Sequence, residues 1–197
     1  MRFGKTLKNS IYEPWKSSYI DYGKLKQLLR EDGSQNEEKE WTEDDEGRFV
    51  EELVNVQIEK VNAFQVETYK SLRERTSDCE LRLEKLAESE KNDKEALEEG
   101  ENLDGKSPES LQDVLKELDG ITKEINELEK YSRINYTGFL KAAKKHDRKR
   151  GSKYKVRPLL QVRLAALPFN SEDYSPLLYR YVMDPVPLQA FTSEDSC

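Results

Sequence analysis

The chain has 197 residues, a formal net charge of −7 at pH 7, 35% hydrophobic and 37% charged side chains. That length suits one domain with an appendage and leaves little room for a catalytic domain beside it. The charge balance disfavours a sheet-built core and points to long amphipathic helices; no apolar run approaches the roughly 18 to 20 residues that cross a bilayer, and the N-terminus lacks a signal peptide, so the chain is expected to be soluble and intracellular.

In chain order, Phe3, Leu7 and Ile11 recur every four residues and mark one face of a first helix. Pro14 breaks it. Ser18 or Asp21 then caps a second helix with Tyr22, Leu25, Leu28 and Leu29 along one stripe, so an N-terminal helical hairpin is expected. Residues 32–47 are polar and acidic and read as a loop. From Arg48, a face of Val50, Val54, Ile58, Val61 and Leu72 predicts a long helix. Residues 89–110 lose the period and contain Pro108, which predicts a flexible linker with at most a helical start.

Ser110 caps a second long helix carrying Leu111, Val114, Leu118, Ile121, Ile125 and Leu128. Two long helices joined this way should pack antiparallel. A further helix is predicted after Tyr131, ending near Gly151, then short elements interrupted by prolines 158, 168 and 176. The expected fold is therefore all-α: a helical hairpin on two long antiparallel helices with shorter C-terminal helices, one domain over 1–180 and a disordered tail over 181–197.

Charge is distributed unevenly along this frame. Residues 1–30 hold seven Lys/Arg against two acids, net +5, and residues 131–157 hold ten against one, net +9; residues 31–130 hold 14 against 32, net −18. If the fold joins the two basic segments, they make one positive site on an acidic protein. Lys141, Lys144, Lys145 and Arg148 are three or four apart and share a stripe of a helix. Each like-charged pair costs about 0.2–0.5 kcal/mol unless something pairs it. Lysine offers phosphate a mobile ammonium and arginine a planar fork. Tyr22 and Lys26, four apart, add a hydroxyl and another ammonium, and the start of the first helix, with Arg2, adds N–H groups and a favourable dipole. Composition and spacing alone fit both a solvated basic face and an anion-binding surface.

Enzyme chemistry finds little support. His146 is the only histidine, too few for a metal centre of the kind that "HD" at 146–147 suggests, and no glycine-rich phosphate loop occurs. His146 is assigned no chemistry, and Lys149 and Arg150 only a contribution to the field. Cys79 and Cys197 suggest neither a disulfide framework nor a metal site. No cofactor is expected.

"MRFGKTLKNSIYEPWKSSYIDYGKLKQLL" resembles the opening of SPX domains, "IEKVNAFQVE" at 58–67 the start of their first long helix, and "INYTGFLKAAKKHDR" at 134–148 their third block. Residues 154–180 resemble more narrowly the SPX domains of accessory subunits of the fungal vacuolar transporter chaperone complex, which makes polyphosphate. The resemblance implies a non-catalytic sensor of cellular phosphate that binds inositol hexakisphosphate or an inositol pyrophosphate. It implies a cluster of Tyr22, Lys26 and Lys145, an outer cluster of Lys141, Lys144 and Arg148, and a contribution from Arg2. Arg148 stands where lysine is usual, and the segment after Tyr179 departs from the family pattern. The implied partners are other subunits of such a complex, at the cytosolic face of a vacuole or another endomembrane. The alternative is a peripheral module binding anionic phosphoinositides; nucleic acid fits poorly, because the acidic bulk repels a long polyanion.

Overall fold

The computed structural model describes residues 2–30, 41–98, 110–150, 155–171, 173–174 and 176–177. Among them every regular element is helical: α1 (Arg2–Asn9), a 3-10 turn (Glu13–Ser18), α2 (Tyr22–Leu28), α3 (Glu43–Glu51), a π-helical stretch (Glu52–Ile58), α4 (Glu59–Glu98), α5 (Leu111–Arg150), α6 (Val156–Ala165) and α7 (Pro168–Ser171). The all-α expectation holds. Pro14 opens the 3-10 turn, and the Asp21 carboxylate caps α2 by accepting the Lys24 N–H at 2.8 Å.

Three boundaries differ from expectation. The acidic stretch 32–47 is helical from Glu43, because Thr42 and Asp45 form a reciprocal capping box and four acids in the first turn suit the helix dipole; residues 31–40 lie outside the described set. The expected linker 89–110 is helical through Glu98, since "KNDKEALE" has no breaker, and 99–109 lie outside the described residues. The two helices expected either side of Tyr131 are one 40-residue helix, α5. Leu128, Tyr131, Asn135, Phe139 and Ala142 continue one buried face with no proline or cap to interrupt it. Ser110 caps this helix as expected, its hydroxyl accepting the Gln112 N–H at 3.1 Å. Gly151 and the tail 181–197 lie outside the described residues.

The chain divides into two compact units, Met1–Thr68 with Glu127–Glu172, and Tyr69–Asn126 with Asp173–Cys197. In the second, α4 and α5 run antiparallel over a core of Leu72, Cys79, Val114, Leu118, Ile121 and Ile125. Arg82 pairs with Glu117 at 2.8 Å and Arg75 with Glu124 at 3.0 Å, which fixes their register. The Arg82 hydrogen bond holds the Glu117 carboxyl below its usual range.

In the first unit the core is aromatic where the N-terminal segment meets α5. Tyr131 is fully buried, its hydroxyl donates to the Ser18 carbonyl at 2.9 Å, and its ring meets the edges of Tyr19 and Trp15. The buried Asn135 amide closes the same junction, its oxygen accepting the Ile20 N–H at 2.8 Å while its nitrogen donates to the Tyr131 carbonyl. Both side chains satisfy backbone groups that would otherwise be stranded in an apolar core.

The π-helical stretch interlocks with the start of α2. Glu52 accepts from Gln57, five residues on, at 2.7 Å and pairs with Lys24 at 2.7 Å, while Gln57 accepts the Asp21 N–H at 2.7 Å. Lys60 donates to the Tyr19 carbonyl at 2.7 Å; burial lowers its ammonium pKa, and the Asp21 and Glu52 charges oppose that shift. The chain thereby anchors the entry to α2 from both α4 and α5.

Candidate anion-binding site

The site is built by the way α2 lies along α5. At its start, Gly138 of α5 approaches so closely that a Cβ there would sit 3.1 Å from Ile20 Cγ2 and 3.5 Å from Phe3 Cζ. Only a residue without a side chain permits this approach. Phe3 in turn meets the Tyr22 ring edge-on, with centroids 5.0 Å apart, so α1, α2 and α5 converge at one point. At the other end of α2, the Lys149 ammonium donates to the Leu29 and Arg30 carbonyls at 2.5 and 2.9 Å. Gly138, Ala142, Lys145 and Lys149 follow a four-three-four spacing and therefore share one face of α5. Its first and last members touch the two ends of α2, and Ala142 and Lys145, between them on that face, are both buried.

Burial divides the basic stripe accordingly. Lys145 is only 8% exposed and Tyr22 only 3%, Lys26 is half-buried, and Lys141, Lys144 and Arg148 lie in solvent. What the spacing presents as one stripe is a buried lysine, Lys145, with three exposed cations, Lys141, Arg148 and Lys144, about 40°, 60° and 100° from it around the helix. Among the described residues neither Lys26, Lys141 nor Lys144 has an acidic partner. Other cations of this unit are neutralised locally, among them Lys130 by Glu127 at 2.6 Å, Arg133 by Glu129 at 2.5 Å and Arg163 by Glu59 at 3.0 Å. The N-terminus of α1 begins next to Phe3, at the convergence point; the Arg2 side chain lies outside the described residues.

The third face of this end of α5 packs on α3 and α6. His146 is fully buried, stacks on Phe49 with ring centroids 5.0 Å apart and planes 7° from parallel, and contacts Glu46 at 2.7 Å and Asp147 at 3.1 Å. Asp147 extends that link by accepting the Val156 and Arg157 N–H groups at 2.8 and 3.1 Å, capping α6. Below it, Arg30 takes a left-handed conformation, φ 53°, that ends α2, and its guanidinium pairs with Asp45 at 2.6 Å beneath Trp41. The Asp45 carboxyl is held low first by the Thr42 N–H and further by Arg30, against a smaller opposing effect of burial.

Two residues have roles that sequence reasoning missed. Lys149 closes the end of α2 rather than merely adding to the field, and His146 is a structural junction. One signal was available for His146: Glu46 and Phe49 are three apart at the start of α3, which puts an acid and a ring on one face that needs a complementary partner. Nothing in local spacing announces Lys149, because its acceptors are backbone carbonyls about 120 residues away.

An open groove of about 480 Å³ lies between the end of α1 and α5, lined by Asn9, Tyr12, Glu127, Lys130, Arg133 and Thr137 among others. Its cations are already matched by acids, which makes it a poorer anion site than the rim.

No protein-family model matches the chain. It is 42% identical over 184 residues to vacuolar transporter chaperone complex subunit 2 of Saccharomyces cerevisiae, spanning 91% of this chain and 20% of that protein. It is 38% identical over 178 residues to subunit 2 of the same complex in Schizosaccharomyces pombe, spanning 90% and 22%. It is 30% identical over 152 residues to SPX domain-containing protein 3 of Arabidopsis thaliana, spanning 76% and 54%. The chain thus covers about a fifth of the length of these vacuolar subunits and about half of the plant protein.

Proposed function

Since this chain belongs with the SPX domains, we propose that it is a phosphate-homeostasis sensor that binds an inositol polyphosphate or pyrophosphate on the α1–α2–α5 face. The observation that supports this most is that, among the described residues, Lys26, Lys141 and Lys144 have no acidic partner on a protein whose net charge is −7. In this reading Lys145, Lys26 and the Tyr22 hydroxyl engage one phosphate group from the side of α2. Lys141, Lys144 and Arg148 engage neighbouring phosphates from the rim, and Arg2 with the N-terminus of α1 closes the site. A ring bearing several phosphates suits such a surface because it meets cations on three helices at once. The domain performs no catalysis of its own; ligand binding alters its contacts with further subunits of a vacuolar polyphosphate-synthesising or phosphate-transporting assembly, at the cytosolic face of that membrane.

Each charge-assisted hydrogen bond contributes about 1.5–3 kcal/mol, so Lys141→Ala and Lys144→Ala, both at exposed positions, should each weaken inositol hexakisphosphate about ten-fold in titration calorimetry. The affinity should also fall as salt is raised. No binding by the parent protein sinks the function; undiminished binding in both variants and in Lys145→Ala sinks the site.

One observation favours a second reading, attachment to membranes bearing anionic phosphoinositides. Leu159 and Val162 of α6 are 75% and 74% exposed, and α6 is capped from Asp147 within the basic turn. Two aliphatic side chains supply about 1.5–3 kcal/mol each if fully buried, enough for weak adhesion. Flotation with phosphoinositide liposomes, competed by soluble inositol hexakisphosphate, separates the readings.

A further inference from the structure

His146 is the chain's one histidine, and both of its ring nitrogens face acceptors. Nε2 lies 2.7 and 2.9 Å from the two Glu46 oxygens, and Nδ1 lies 3.1 Å from Asp147 Oδ1. A carboxylate only accepts, whereas a neutral imidazole has one donor and one acceptor. A neutral ring therefore leaves a lone pair against an oxygen on one side; an imidazolium donates to both. Neither carboxylate is at liberty to turn away, because Glu46 also accepts the Trp41 indole N–H at 3.0 Å and Asp147 accepts the two N–H groups that open α6.

Each element packed on the ring brings charged or polar groups to it. From α3 it faces Glu46, with Asp45 already paired to Arg30 at the end of α2. From α6 it is approached through backbone N–H groups held by Asp147. On α5 itself Lys145 precedes it, and Lys149 is turned to the carbonyls of α2. The two contacting acids thus sit directly on the ring, while Lys149 points away to the end of α2.

We propose that His146, as an imidazolium, is a pH-sensitive clasp of the anion site, tying α3 through Glu46 and α6 through Asp147 to the turn of α5 that carries Lys144, Lys145 and Arg148. His146 is a positioning residue here, since it is fully buried and touches no ligand. Protonated, it completes both hydrogen bonds and neutralises one carboxylate beneath the basic face. Without that proton one carboxylate opposes a lone pair, and a positive charge is lost from behind the phosphate site. Anion affinity contributed by the clasp is thus present at low pH and lost at high pH. The clasp's effect on affinity rests on the inositol-phosphate reading above.

The test has two arms. In the ligand-free protein, ¹⁵N spectra of the single histidine should show both ring nitrogens protonated at about pH 6; one neutral tautomer there overturns the clasp. Calorimetry with inositol hexakisphosphate at about pH 6 and pH 8 then compares the parent with His146→Phe, which keeps a ring on Phe49, and with Glu46→Gln, at a half-buried position that tolerates an amide. The ligand's own titration is common to all three. The gain in affinity on acidification should be about five-fold larger in the parent than in either variant, the lower end of ordinary site-to-site coupling. An equal gain in all three overturns the coupling. Absence of binding by the parent at both pH values overturns the inositol-phosphate reading and the coupling, while the ring spectrum decides the protonation independently.

Discussion

Replacing Lys149 by Met tests whether one ammonium holds α2 in place. A helix end leaves its last carbonyls without partners, and Lys149 supplies the Leu29 and Arg30 carbonyls with two hydrogen bonds, at 2.5 and 2.9 Å. Methionine keeps most of the apolar stem and removes only the charged donor. Two charge-assisted bonds at about 1.5–3 kcal/mol each set the ceiling. They share one partly exposed ammonium, and water can replace some of what is lost, so the expected cost is about 2 kcal/mol. For a chain of this size that corresponds to roughly 5 °C in the unfolding midpoint. Urea unfolding followed by tryptophan fluorescence is the suitable assay, because Trp15 and Trp41 both lie in the unit that contains α2. The urea midpoint should fall with the slope unchanged, and Lys149→Arg should recover most of the loss. A change below about 0.5 kcal/mol, within the ordinary range for surface substitutions, would refute the assignment of Lys149 as the cap.

Gly138→Val drives new methyl groups into Ile20, whose Cγ2 lies only 3.1 Å from where a Cβ at position 138 would sit, and should cost about 1–3 kcal/mol by overpacking; Gly120→Ala, on the same helix with nothing within 4 Å, should instead stabilise by about 0.5–1 kcal/mol, and equal effects in thermal melts would contradict the close approach. Burial by itself raises the Glu52 carboxyl, but hydrogen bonds from Lys24 and Gln57 and the Lys24 charge outweigh it and hold its pKa below the usual range. A depressed folded pKa contributes stability that is present above the unfolded value and lost as pH falls through the folded one. The stability advantage of the parent over Glu52→Gln should therefore shrink on acidification through the carboxylate range, and an advantage that grows there would contradict the Lys24–Glu52 link.

Much of the helical frame was legible because it rests on local periodicity. The stripes through Val54, Ile58 and Val61 and through Val114, Leu118, Ile121 and Ile125 announce the helical run that leads into α4 and the first half of α5, and the capping roles of Asp21 and Ser110 follow from their place before such a stripe. Sequence and structure part where composition competes with capping. "TEDD" looks like acidic loop material, yet Thr42 and Asp45 satisfy each other's backbone N–H groups and start a helix. The continuity of α5 through Tyr131 is hidden for another reason: the apolar stripe gives way to Tyr131 and Asn135, polar side chains that a sequence reading treats as a change of element but the core uses as hydrogen-bonding partners for residues 18–20.

The candidate site shows where local information ends. By itself the sequence determined that α5 carries four cations at helical spacing, since a 3.6-residue period needs only the neighbouring residues. It also determined that the overall charge is acidic, so such a stripe stands out. Tertiary structure alone decided that Lys145 is buried while Lys141, Lys144 and Arg148 stay in solvent, that Lys149 serves a helix end, and that His146 sits between two carboxylates. The reason is physical: burial and hydrogen-bond partnership depend on which surfaces of distant helices meet. Those meetings are set by Gly138, Asn135 and Tyr131, whose partners at Ile20 and Ser18 lie more than 100 residues away in the chain.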